Sequence, residues 1–88
     1  MNEAIIRKSL FVIRGVEEVV AHHVCDGGGP GGVKVEHFSV IVFTDRGLSI
    51  ESHITTSSQL DELVEFTENL CIDIAHKRKY KIKIKVFD

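Results

Sequence analysis

The chain has 88 residues, of which 43% are hydrophobic and 27% charged, and its formal net charge is −2. This length suits one domain with a single modest core, and the composition is typical of a globular protein and excludes a disordered chain. The slightly acidic balance gives no overall field that would attract nucleic acid or a membrane surface. We therefore expect a single α+β domain over residues 1–88.

The cysteine content and the N-terminal residues bear on the compartment. Cys25 and Cys71 are too few for a disulfide framework, which indicates a reducing environment. The early acid Glu3 and the arginines that follow do not fit a secretory signal peptide. No apolar run approaches the roughly 20 residues that a membrane-spanning helix needs. The sequence therefore predicts a cytoplasmic protein.

Residues 2–25 are predicted to form one long amphipathic helix. On a helical wheel their apolar side chains gather in one sector, with Glu3, Arg7 and Glu18 opposite. Such a helix would be about 36 Å long and would overhang a compact domain of this size. Its apolar face would then need a partner, and a second copy is the simplest one. Because valine and isoleucine are weak helix formers, a strand over residues 5–13 is the alternative.

A glycine-rich loop at 26–33 and a β-hairpin at 34–55 are predicted next. The loop follows a helix and precedes a strand, the reverse of a phosphate-binding loop, so we interpret it as a linker. The turn Asp45-Arg46-Gly47 suits a three-residue hairpin loop. The first hairpin strand is apolar on both faces, which is typical of a central strand.

A second helix at 57–77 and a last strand at 79–87 complete the prediction. The order α-β-β-α-β implies a two-layer sandwich with a three-stranded antiparallel sheet, in which a right-handed crossover places the last strand beside the first hairpin strand. If residues 5–13 form a strand instead, the chain becomes a ferredoxin-like βαββαβ fold. In both arrangements one face of the sheet stays open.

Three residues near the predicted end of the first helix form a candidate metal site. His22, Cys25 and Asp26 have helical spacing that places them on one side, and such a trio could hold zinc with a fourth position open. The spacing matches no specific zinc signature. We favour the interpretation in which His22 and Asp26 are solvated, Cys25 is partly covered, and His23 lies in the core. We therefore expect no cofactor, with zinc as the one alternative.

Alternating lysines mark the C-terminal segment. Lys79, Lys81, Lys83 and Lys85 could contact a nucleic-acid backbone or another anion, beside Tyr80. Lysines in this pattern also protect an edge strand from unwanted pairing. We favour edge protection, because that need exists whatever the function.

No local signature marks a catalytic nucleophile, so we predict no catalytic residues. The sequence predicts a small non-catalytic binding or regulatory module that forms a homodimer, with nucleic-acid binding and metal binding as alternatives and a separate protein partner also possible. The contact would involve the open sheet face or the first helix. The candidate interface residues are Val35, Ile41, Phe43, Val12 and Val16.

Overall fold

The computed structural model describes residues 1–26, 31, 35–75 and 83–86. Its elements are α1 (Glu3–Phe11), β1 (Val16–Asp26), β2 (Val35–Thr44), β3 (Ser49–Ile54), α2 (Ser57–Ala75) and β4 (Lys83–Val86). The sheet has the order β1-β2-β3-β4, with the first three strands antiparallel and β4 parallel to β3. The α+β class is confirmed, as is an antiparallel sheet of three strands packed against two helices.

The predicted helix over residues 2–25 is wrong beyond its first half. Helix α1 has nine residues, about 14 Å, and residues 16–26 form strand β1 instead. The alternative of a strand over residues 5–13, and with it the ferredoxin-like βαββαβ order, is also wrong, because Glu3–Phe11 is helical. Since α1 is short, the argument that a helix overhangs the domain no longer applies.

Gly15 separates α1 from β1. Its φ of +101° is open to glycine and strained for other residues, and its carbonyl accepts a 2.9 Å hydrogen bond from the backbone N–H of Asp45. The valines that follow suit a strand, because β-branched side chains pack well on a pleated surface. Glycine and valine together end the helix and start β1.

A β-bulge adjusts the faces of β1 at its start. Val16 pairs with Thr44 and Glu18 pairs with Phe43, so one extra residue, Glu17, lies between the two pairs. Val16 consequently packs against the core, while Glu18 shares the face of Phe43. The bulge lets the strand bury valine and expose glutamate within three residues.

The last strand is an edge strand, as predicted, but it pairs with a different neighbour. We expected it beside the first hairpin strand, β2, whereas β4 pairs with β3. The reason is that β1 occupies the free edge of β2. The crossover through α2 therefore delivers β4 to the remaining edge, where it lies parallel to β3 as a β-α-β connection requires.

Helix α2 begins at Ser57, as predicted. Its N-terminal cap is Thr56: Gln59 donates its backbone N–H to the Thr56 hydroxyl at 3.2 Å, and the Gln59 side-chain oxygen accepts from the Thr56 N–H at 3.3 Å. These reciprocal hydrogen bonds form a capping box. Its predicted end at residue 77 lies outside the described residues, which continue the helix to Ala75.

Both helices cover the same face of the sheet. Helix α1 packs on β1, α2 packs on β3, and the two helices contact each other. The core between the layers is made of Ile6 and Leu10 of α1, Val19 and Ala21 of β1, Val40 and Val42 of β2, Ile50 and Ile54 of β3, and Leu60 and Leu63 of α2. In the described part of the chain, neither helix has the length and apolarity needed to cross a membrane.

Candidate functional site: the open face of the sheet

The sheet face opposite the helices has no covering layer in the described part of the chain. We call it the open face. Pairing and strand alternation assign it Glu18, Val20, His22 and Val24 of β1, His37, Ser39, Ile41 and Phe43 of β2, and Ser49, Glu51 and His53 of β3. Each of these residues is exposed or half-buried. The prediction that one face stays open agrees with this arrangement.

Apolar side chains occupy the middle and one end of the open face. Val20 pairs with Ile41, and Phe43, which is 36% exposed, follows two residues along β2. Because side chains two residues apart on a strand share a face, these three form a continuous apolar strip. Two glutamates lie beside the strip, since Glu18 pairs with Phe43 and Glu51 pairs with Ile41.

Histidines occupy the other end of the open face. Ser39 pairs with His22 on one side and with His53 on the other, and His37 lies two residues before Ser39 on β2. The rings of His37 and His53 are in contact, with centroids 5.0 Å apart and planes at 64°. Three imidazoles therefore surround a single serine.

The structure separates the residues of the predicted metal site. On a strand, His22 and Cys25 lie three positions apart and so project to opposite faces, His22 to the open face and Cys25 to the helix side. Asp26 ends β1 in register with Val35. The helical spacing on which the prediction depended does not exist. Nor, within the described residues, do any three His, Cys, Asp or Glu side chains form a group that could hold a metal ion.

His23, and not His22, lies near Cys25, because both side chains contact the carboxylate of Glu36. The Cys25 thiol donates to Glu36 Oε1 at 3.8 Å, and His23 Nε2 lies 3.8 Å from Glu36 Oε2. His23 also packs on Phe38, with ring centroids 5.1 Å apart. His23 is exposed, contrary to the expectation of a core histidine. Its contacts are long and solvated, so they indicate a surface cluster and not a built site.

Cys71 is buried against the turn between α1 and β1. Burial raises the pKa of the Cys71 thiol, and the carboxylate of Asp45 raises it further. A thiol of this kind stays protonated near neutral pH and is a poor nucleophile. Cys71 is therefore a buried core residue.

A second apolar surface lies between the two helices. A groove of about 350 Å³ runs between α1 and α2, and its lining includes Val12, Ile13, Val64 and Ile72, with Arg14 and Glu68 at its sides. Val12 is 77% exposed. This groove is concave and open to solvent.

The remaining predicted site residues fall in several places. Ile41 and Phe43 belong to the open face, Val12 to the groove, and Val16 to the core margin. For Val35 only the pairing with Asp26 is described. Lys83 and Lys85 lie on the edge strand β4, in register with Ser49 and Glu51. Lys79, Lys81 and most of the predicted loop 26–33 lie outside the described residues.

Sequence reasoning did not identify the contact between His37 and His53. The turn at Asp45–Gly47 carries the missing signal, because a three-residue loop fixes the register of the hairpin and hence the pairing of His53 with Ser39. That register places His37 diagonally across from His53.

No protein-family model, curated protein or solved structure significantly matches this chain.

Proposed function

We propose that this protein is a non-catalytic module that forms a homodimer by packing the open faces of two sheets together. The observation that carries the proposal is the apolar strip of Val20, Ile41 and Phe43 on a sheet face where none of the residues described for β1, β2 and β3 is buried. An antiparallel sheet often exposes one face, but that face is then predominantly polar. An apolar strip on such a face is typical of an interaction surface.

The size of the open face suits an interface between two copies. Four strands of 11, 10, 6 and 4 residues, about 4.8 Å apart, present roughly 500 Å². Two such faces bury about 1,000 Å² together, the lower limit for a specific interface. Sheets that pack in this way align their strands and lie about 10 Å apart. The dimer would therefore be a sandwich with helices on its two outer surfaces.

The distribution of charge favours a second copy as the partner. A two-fold axis parallel to the strands, passing between β2 and β3, places β1 of one copy over β4 of the other. β1 carries Glu17 and Glu18, whereas β4 carries Lys83 and Lys85. The same axis lays Ile41 and Phe43 of one copy over β3 of the other, so the two apolar strips lie side by side across the axis. Opposite charges therefore meet in this arrangement, with the apolar strips next to each other near its centre.

The groove between the helices is less suited to self-association. A two-fold interface brings the same patch of each copy together. Two concave grooves that face each other would leave space between them, whereas two sheet faces can make close contact.

The two free thiols support assigning the module to a reducing compartment, such as the cytoplasm.

Light scattering after gel filtration, in EDTA and at micromolar concentration, tests the proposal. We expect wild-type protein to have twice the chain mass of 9.9 kDa. Ile41→Glu should give the monomer mass, because a charge in the strip would be desolvated on association. Val12→Glu, the matched control in the groove, should remain dimeric. Circular dichroism of each variant establishes that it is folded.

Two results would overturn the proposal. One is wild-type protein of monomer mass. The other is dissociation by Val12→Glu but not by Ile41→Glu, which would assign the contact to the helices. Phe43→Lys provides a second strip variant should Ile41→Glu fail to fold, since Phe43 is already partly exposed.

A further inference from the structure

The rings of His37 and His53 are separated by the distance expected for two imidazoles that share one metal ion. Zinc binds histidine nitrogen at about 2.0–2.1 Å with tetrahedral angles, which places two ligand ring centres about 5 Å apart. The observed centroid separation is 5.0 Å. The two histidines come from adjacent strands of a sheet, so their backbones are held in this relation. Little rearrangement would be needed to bind an ion.

We propose that His37 and His53 form half of a zinc site that two copies of the chain complete with four imidazoles. This inference rests on the proposed homodimer. Imidazole is a preferred ligand for zinc and related transition metals, and a structural zinc ion takes four ligands. Within the described residues of one copy no group of three metal-ligating side chains exists. We therefore assign the second pair of ligands to the partner copy.

The two-fold axis described above brings the two histidine pairs together. Rotation about an axis parallel to the strands does not change the position of a residue along the strand direction. The histidine end of one open face therefore lies over the histidine end of the other. An axis between β2 and β3 also lays His37 of one copy over β3, the strand of His53, in the other. Sheets about 10 Å apart leave about 5 Å from each sheet to the midplane, a distance that a histidine side chain spans.

The pair is distinct from the two other histidines of the described residues, His22 and His23. His22 lies on the same face but is separated from His53 by the intervening strand, where Ser39 pairs with both. His23 lies on the opposite face, beside Glu36. His23 therefore provides a control of the same residue type, on the opposite face of the sheet, that the zinc site does not use.

Titration of EDTA-treated and then desalted protein with Zn²⁺ alone, followed by calorimetry, tests the site. We expect one zinc ion per two chains and a rise in Tm, because a ligand that binds only the folded dimer stabilises it. His37→Ala and His53→Ala should each weaken zinc binding at least about tenfold. His23→Ala should bind zinc as wild type does. Absence of binding, or equal loss in His23→Ala, would overturn the inference.

Co²⁺ in place of zinc gives a second readout that does not depend on heat signals. A tetrahedral site of four nitrogens produces visible absorption that is far more intense, and at longer wavelength, than the weak band of the hydrated octahedral ion. We expect this band in wild-type protein and in His23→Ala, and its loss in His53→Gln, which retains a polar side chain of similar size. A hydrated octahedral spectrum in wild-type protein would contradict the four-imidazole site.

The two proposals fail in distinguishable ways. Protein that is dimeric in EDTA but binds no zinc keeps the homodimer and overturns the metal site. One zinc ion per chain on a monomer overturns both the sharing of the site and the homodimer. Protein that is monomeric in EDTA and dimeric with zinc supports the shared site and overturns the metal-independent dimer.

Discussion

Gly15 lies beside the side chain of Cys71 at the junction of α1, β1 and α2. A Cβ added at Gly15 would lie 3.3 Å from both the Cβ and the Sγ of Cys71. The turn that ends the first helix is therefore fixed by two independent constraints, the positive φ of Gly15 and the buried side chain beside it.

We predict that Gly15→Ala destabilises the fold by about 2–3 kcal/mol, because the backbone strain and the close contact add. Gly31→Ala is the control: its φ of +86° imposes similar strain, but nothing lies within 4 Å of an added Cβ. It should cost about 1 kcal/mol. Urea unfolding measures both, and equal losses would show that the contact with Cys71 has no effect.

The two thiols should differ in reactivity. Cys25 is exposed, whereas Cys71 is buried and its pKa is raised, so its thiolate forms only at higher pH than usual. We expect iodoacetamide at pH 7.5 to modify Cys25 alone in the native protein and both cysteines in urea, as seen by mass spectrometry. Cys25→Ser should abolish the native reaction. Rapid modification of native Cys71 would contradict the burial described here.

The capping box of α2 predicts a specific loss. Thr56→Ala removes the acceptor of the Gln59 N–H and should cost about 1 kcal/mol of the free energy of unfolding. Ser58→Ala, an exposed residue in the first turn, should change it by less than about 0.5 kcal/mol. Thermal unfolding of the two variants tests this. A larger loss for Ser58→Ala would assign the cap to that serine.

Two buried hydroxyls should respond in opposite ways. Ser52 Oγ is buried in β3 without a hydrogen-bond partner among the described residues, so Ser52→Ala should be neutral or stabilise by up to about 1 kcal/mol. Thr44 Oγ1 both donates to the Leu48 carbonyl and accepts from the Leu48 N–H. Thr44→Val should therefore destabilise by about 1–3 kcal/mol. Denaturant unfolding distinguishes the two, and a loss at Ser52→Ala would indicate a partner for its hydroxyl.

The helix at residues 57–75 and the hairpin of β2 and β3 could be predicted from the sequence because each carries one clear period and a terminal signal. The apolar stripe of α2 repeats every three to four residues, and the turn at Asp45–Gly47 is local chemistry. β4 follows a strict alternation over Lys83–Val86. In these segments the local pattern and the tertiary environment require the same conformation.

Residues 16–26 could not be assigned in this way, because their pattern fits two periods. Val16, Val20 and Val24 have the spacing of a helix face, whereas Val19 and Ala21 alternate as a strand does. Pairing with β2 satisfies the backbone of this segment, and the bulge at Glu17 corrects its faces. The choice therefore depended on a strand that lies about 20 residues away in the sequence.

The candidate site depended on the same choice. With residues 16–26 helical, His22 and Cys25 share a side; with β1 extended, they are on opposite faces, and His22 lies on the face of His37 and His53. The sequence by itself determined the α+β class, the second helix and the hairpin, since each is encoded by neighbouring residues. Only the tertiary structure decided the conformation of β1, the neighbour of β4 and the contact between two histidines, because strand pairing joins residues that local periodicity cannot relate.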